Sequence, residues 1–439
     1  MLSSMHKTPE YYSTEELQSL SKHPEIMPSE LDPLRQHLRR KAKAWRTAER
    51  VGLLLHRLAP PTPIAPSAVL TLPTSISPFP GNITIQFYTP SSYDLQKTAQ
   101  TKFPVVINFH GGGFTLGSGA EDCRWATAVV QQIDAVVASV DYRLAPEYPF
   151  PTAVEDGVDA ILWLVEHAEE LAIDPHRIAL SGFSAGGNLC FTVLLRLHEE
   201  LQGRRKNNAL SALRQRSSPS LTYLPLQNSS SLTVPTSQIQ RGRSVSDLVK
   251  QRNKKEHSFS SVIRPRRKSL VLPALTSIDY PAPTLSIVGL VAWYPPVDYR
   301  QSRDKRSATN LRPGAGLPKF LTRLFDESYL HTPLCVNSPF CSPAAATDDE
   351  LRSSLPNNIM IYTCEYDDLR QEAQDFSDRL RDCVGRKVSY TMIRGVPHGW
   401  DKSPNPLWPP RQVSKLYEAA TAELQEWFRD RDRMTEVLE

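Results

Sequence analysis

Short runs of β-branched and aromatic residues alternate with longer helix-like stretches along most of the chain, and this alternation limits the fold more than any other feature. "APSAVLTLP", "NITIQFYTP", "FPVVINF", "AVVASVDY" and "RIALSGF" are each strand-length and bounded by turn residues. Between the later ones lie "EDCRWATAVVQQI", "TAVEDGVDAILWLVEHAEEL" and "GGNLCFTVLLRLHEEL". Three more strand-like runs follow, "LSIVGLVAWYP", "NNIMIYTCEY" and "KVSYTMIRG", with helix-like "DDLRQEAQDFSDRLRDCV" and "VSKLYEAATAELQEWFRDR" between or after them. The middle strands are apolar nearly throughout, the mark of strands covered on both faces. The expectation is an α/β fold whose mostly parallel central sheet is flanked by helices.

One segment breaks the pattern. From Gly203 to Leu270 there are 15 Lys or Arg against two acids, Asp247 and Glu256, a local balance of +13 in a chain whose total is +4. The stretch is serine-rich and lacks a sustained apolar period. Such composition cannot bury enough surface to offset its ordering entropy, so residues 203–283 read as a disordered insertion. Strand and helix patterns continue on both sides, so the insertion splits one domain, residues 64–202 and 284–439. Its charge would allow contact with an anionic membrane through 203–270; nucleic acid is not expected. The first 60 residues read as helical, with Asp32 at an N-cap and Pro33 at the first helical position. There Leu34, Leu38, Trp45, Ala48 and Val51 recur at helical spacings.

The remaining bulk features narrow the class. No apolar run approaches the roughly 18 residues of a membrane span. The polar start "MLSSMHKTPEYYSTEELQSL" lacks the apolar stretch of a signal peptide, so a cytoplasmic location is expected. Six scattered cysteines without a C-x-x-C pair suggest reduced thiols and no zinc site; no metal and no cofactor are expected.

Two glycine clusters carry the chemistry. Ser184 lies in "GFSAG", a G-x-S-x-G placed after the apolar "RIAL" and before a helix. A serine on a sharp strand-to-helix turn needs small neighbours, and the turn lifts its hydroxyl above the sheet. Such a hydroxyl needs a base, and the base an orienting acid. Asp367 and Asp368 follow one late strand and His398 follows the last, in the chain order serine, acid, histidine. The second cluster is "HGGGF", His110 to Phe114, directly behind a buried strand. Acyl transfer at serine creates a tetrahedral oxyanion that needs backbone donors, each contributing about 3–4 kcal/mol. The N–H of Ala185 can be one. The others must come from this loop, where side chains would block the approach.

Taken in order, "HGGGF", "DYRLAPEYPFP", "GFSAGGN", "EYDDLRQEAQDF" and "PHGW" resemble the hormone-sensitive-lipase-like carboxylesterases of the α/β-hydrolase superfamily. The resemblance runs from about residue 64 to 428 without the insertion. It implies Ser184 as nucleophile, His398 as general base and acid, and Asp367 as the orienting acid, Asp368 standing at the position of a proline. It also implies oxyanion donors at Gly112, Gly113 and Ala185, with Gly111 as a further candidate, and His110 as support of the loop. The cap would comprise residues 1–63 and a segment near 300–335. The chain departs from the family pattern at Phe183, where an aspartate is common, and at Trp400, where phenylalanine is commoner. The implied activity is hydrolysis of small-molecule carboxylic esters, with a homodimer left open. Two alternatives remain: an amidase, arylformamidase-like or product-releasing pathway hydrolase, and a non-catalytic ligand-binding member. The plant gibberellin receptor resembles this family but lacks the histidine, which is present here.

Overall fold

The computed structural model describes residues 33–58, 62–77, 79–93, 102–217, 270–271, 284–402 and 412–436. Asp32 and most of the basic insertion lie outside them. Eight strands form where the apolar runs stand: β1 (Ala68–Pro73), β2 (Asn82–Tyr88), β3 (Phe103–Phe109), β4 (Val136–Asp141), β5 (Ile173–Phe183), β7 (Ile287–Trp293), β8 (Asn358–Tyr366) and β9 (Lys387–Pro397). A two-residue strand, β6 (Leu270–Val271), joins the edge beside β1. The order across the sheet is β6-β1-β2-β4-β3-β5-β7-β8-β9. β2 runs antiparallel to both β1 and β4, and from β4 through β9 every neighbouring pair is parallel.

Parallel neighbours need crossover helices, and these cover both faces. α2 (Cys123–Gln132) links β3 to β4, α3 (Thr152–Glu166) links β4 to β5, and α4 (Ala185–Ser217) leaves β5. Farther along come α5 (Arg303–Ala308), α6 (Lys319–Tyr329), α7 (Asp348–Ser354), α8 (Arg370–Asp382) and α9 (Val413–Glu436). Alternate residues of one strand enter opposite layers. Val105, Ile107 and Phe109 of β3 join the core beneath α3, α4 and α8, whereas Val106 joins the one beneath α2 and α9.

The boundary expected for the insertion moves. α4 runs through Gly203 to Ser217, fifteen residues into the stretch read as disordered. Arg, Lys, Gln, Ala and Leu are good helix formers, and no proline occurs before Pro219; one interior glycine costs only about 1 kcal/mol. β6 adds a second piece of order inside residues 203–283.

The N-terminal helix α1 (Pro33–Leu58) does begin at Pro33. Its inward face, however, differs from the stripe visible in the sequence. Leu38 is buried, together with Arg35, Ala42 and His56, while Leu34, Trp45, Ala48 and Val51 are exposed. α1 packs on α6 through a stacked pair, Trp45 and Phe320, with ring centroids 5.4 Å apart, and through Arg35, whose Nη1 donates to the Ser328 carbonyl at 2.8 Å.

Candidate active site

At the junction of β5 and α4 the chain turns sharply, and Ser184 takes φ +52°, a left-handed conformation rare for a residue with a side chain. The turn requires small neighbours. A Cβ on Gly182 would strike the Gly186 carbonyl, and one on Gly186 would strike the carbonyl oxygen of Phe109 at the end of β3. Ser184 N–H is held by the Trp293 carbonyl at 2.8 Å. The following residue, Ala185, opens α4, so its N–H has no acceptor one turn earlier and adds to the helix's positive end.

His398 follows β9 and comes to Ser184 from across the sheet. Its Nε2 lies 2.8 Å from Ser184 Oγ, and its Nδ1 lies 2.7 Å from Asp367 Oδ2. Both side chains of that second pair are almost fully buried. The other Asp367 oxygen accepts the Leu369 N–H at 3.0 Å, which fixes the carboxylate plane. Its neighbour Asp368 points elsewhere and accepts from Asn310 Nδ2 at 2.7 Å, in the segment expected to form part of the cap. Three residues drawn from the ends of β5, β8 and β9 therefore meet in one hydrogen-bonded line.

The glycine loop flanks this line. A Cβ on Gly111 would lie 3.6 Å from Ser184 Cβ, so the loop passes directly beside the hydroxyl. Gly112 and Gly113 have φ of +101° and +58°. The Phe325 ring of α6 covers the space a side chain on Gly113 would need. His110 stacks on Tyr142 at 4.2 Å, and its Nδ1 lies 2.7 Å from the Gly111 carbonyl. The Tyr142 hydroxyl donates to the His110 carbonyl at 2.9 Å. The "DYRLAPE" run is the platform for this loop: Ala145 N–H donates to the Phe114 carbonyl, and Arg143 is locked to Asp156 in a buried ion pair of 2.6 Å.

Sequence reasoning missed the layer under His398. The Tyr294 ring meets His398 edge-on at 4.8 Å, and its hydroxyl donates to Asp401 at 2.6 Å. Tyr417 donates to the other Asp401 oxygen at 2.6 Å. Lys402 pairs with Asp122 at 2.5 Å and Asp401 at 3.2 Å, and stands 3.5 Å over the face of Phe183. Burial opposes charge on Asp401, but Lys402 and the two tyrosine hydroxyls hold its carboxyl below the ordinary value. Burial likewise opposes charge on Lys402, and the two aspartates outweigh it and push the ammonium up. The only signal was "WDK" behind "HG"; the partners of its Asp401 and Lys402 come from the residue before α2, from α9 and from just past β7.

Five of the six cysteines are buried, Cys383 is exposed, and none is in a disulfide. Among the described residues no group of three or more His, Cys, Asp or Glu could hold a metal ion.

A family model for the alpha/beta hydrolase fold matches residues 106–274 and 274–402. The chain belongs to that family. Relatives carry the names the motif order implied. The hormone-sensitive lipase of Ictidomys tridecemlineatus is 25% identical over 395 residues, 70% of this chain and 51% of the lipase. "Carboxylesterase NlhH" of Mycobacterium tuberculosis is 45% identical over 100 residues, 23% of this chain and 31% of that one. An AB hydrolase superfamily protein of Schizosaccharomyces pombe is 36% identical over 127 residues, 29% of this chain and 36% of its own. The chain thus spans about a third of the length of the curated relatives it matches first. Among solved structures, the hyperthermophilic esterase of Pyrobaculum calidifontis superposes with a TM-score of 0.56 at 23% identity, over 90% of this chain and 97% of that one. A structure from a study of two Rhizomucor miehei esterases gives 0.56 at 20% identity, over 95% and 96%. Both share the fold.

Proposed function

We propose that the chain is a serine hydrolase that cleaves small, fairly apolar carboxylic esters through an acyl-enzyme. The observation that carries this reading is the unbroken line Ser184 Oγ, His398, Asp367, with contacts of 2.8 and 2.7 Å. The Ser184 proton passes to His398 Nε2 as Oγ attacks the ester carbonyl, and Asp367 steadies the imidazolium that forms. The N–H groups of Gly112, Gly113 and Ala185 receive the negative oxygen, with the positive end of α4 behind them. Collapse of the tetrahedral intermediate breaks the C–O bond, and the alcohol leaves with the proton from Nε2. Water activated by the same nitrogen then releases the acid and frees Ser184. His110 keeps the loop in shape by holding the Gly111 carbonyl. Relatives named carboxylesterase, arylesterase and hormone-sensitive lipase support the reaction class.

A fluorophosphonate probe tests the reading. It should label the wild-type chain on Ser184 and fail to label Ser184→Ala, and His398→Ala should lose ester turnover while keeping its melting temperature. Substantial turnover by either variant would remove these residues from the reaction. Matched p-nitrophenyl esters and anilides then separate esterase from amidase, the ester being the faster substrate on this reading.

A further inference from the structure

Beside the buried Leu38 and Ala42, polar groups of α1 also point into the protein: Arg46 donates to the Thr115 and Ala145 carbonyls at 2.8 and 2.7 Å and pairs with Glu147 at 2.9 Å, and Glu49 accepts the Gly117 N–H at 2.8 Å. A second set of apolar groups points out. Ala44, Ala48, Val51, Leu55 and Leu58 are spaced four, three, four and three residues apart, which puts them on one stripe of a helix. All five are exposed, and with Leu54 and Trp45 beside them the large ones show between 41% and 65% of their surface. Aliphatic side chains gathered on an outer face are uncommon on soluble domains and mark an interaction surface.

The charges around the stripe identify the partner. α1 carries eight Arg or Lys and a single acid, Glu49, which is turned inward onto Gly117. Arg40, Lys41, Lys43 and Arg50 are exposed beside the apolar stripe. Two copies of α1 pairing along that stripe would bring these cations together, so the pattern disfavours a second copy. A helix with an aliphatic face edged by cations and no outward acid matches an anionic lipid surface, where the stripe enters the headgroup boundary and the cations meet phosphate and carboxylate. We infer that the outward face of α1 docks the protein on anionic lipid.

The position of this face gives the docking a consequence. α1 holds the glycine loop through Thr115 and Gly117, and its exposed Trp45 stacks on Phe320 of α6, the helix whose Phe325 covers Gly113. The lipid-facing helix thus packs directly on the helix that roofs the glycine loop. Delivery of apolar esters from the membrane rests on the proposed hydrolase reading; the docking itself does not.

Co-sedimentation of full-length Ser184→Ala protein with vesicles separates the two ideas, because it needs no turnover. Vesicles of phosphatidylcholine with about a third phosphatidylserine should retain the protein, phosphatidylcholine alone far less, and salt should weaken retention. Adding Val51→Glu and Leu55→Glu should lower partitioning at least about tenfold, and Lys43→Gln about fivefold. In the otherwise wild-type chain the two Glu substitutions should leave the rate on a short soluble ester unchanged. Three results would overturn the inference. One is absence of phosphatidylserine-dependent binding, including binding that emerges only when residues 1–32 are removed. Another is binding that survives Val51→Glu and Leu55→Glu but is lost when residues 219–268 are replaced by a linker, which would assign it to the basic insertion. The last is self-association that these substitutions abolish, without lipid binding, which would assign the stripe to a second copy.

Discussion

Two adjacent aspartates show how one residue's direction decides its chemistry. Asp367 faces His398 at 2.7 Å, while Asp368, one position along, reaches away to Asn310. On the proposed mechanism Asp367→Asn cannot hold the imidazole in the correct tautomer, and kcat should fall by about 10⁴, as for the equivalent change in a serine protease. Asp368→Asn keeps a hydrogen-bonding group against Asn310 and should cost less than about tenfold. Steady-state kinetics on a p-nitrophenyl ester would check both, and the reverse ranking would exchange their roles. The residues with strict geometric demands were legible in sequence. Ser184 must take a positive φ, and Gly182 and Gly186 must lack a side chain, so their spacing is forced by sterics alone. Tyr294, Asp401 and Lys402 were not legible. No local rule constrains them, and each has meaning only through partners from distant segments.

At the scale of elements, α3 contains a carboxyl whose environment works against its charge. Burial raises the Glu155 pKa from 4.5 to about 7, and a Ser77 hydrogen bond only partly offsets it. Below about pH 4.5 the group is protonated in both folded and unfolded chains. As pH rises toward about 7 the unfolded chain ionises first, so stability is lost across that window. Glu155→Gln removes this loss. It should raise stability at pH 8 by on the order of 2–3 kcal/mol relative to wild type and change it little at pH 4, as urea titrations at the two pH values would measure. An equal effect at both values would mean that packing, not charge, dominates there. The crossover helices and apolar strands were readable because their periods match their burial. α1 was readable as a helix but not as to which side faces in, because its inward contacts are made by Arg35, Arg46 and Glu49 with carbonyls and an amide of other segments.

For the whole molecule the question is how a basic segment of tens of residues can interrupt a single sheet. It leaves after α4 and the chain re-enters through β6 and β7, so its ends are anchored in the fold. Loop-closure entropy grows slowly with length, and such an insertion costs only about 1–2 kcal/mol. Replacing residues 219–268 with a short Gly-Ser linker should therefore leave kcat/KM on a soluble ester within about threefold; loss of activity in a folded variant would show that the segment shapes the site. The sequence by itself determined the α/β class, the eight longer strands and the two glycine clusters beside Ser184, because hydrophobic period and backbone sterics act between near neighbours. Only the tertiary structure decided that Asp368 turns to Asn310, that Lys402 lies against Phe183, and that α1 turns Leu54, Leu55 and Leu58 outward. Each of those depends on groups far apart in sequence, whose meeting is set by the order of strands across the sheet.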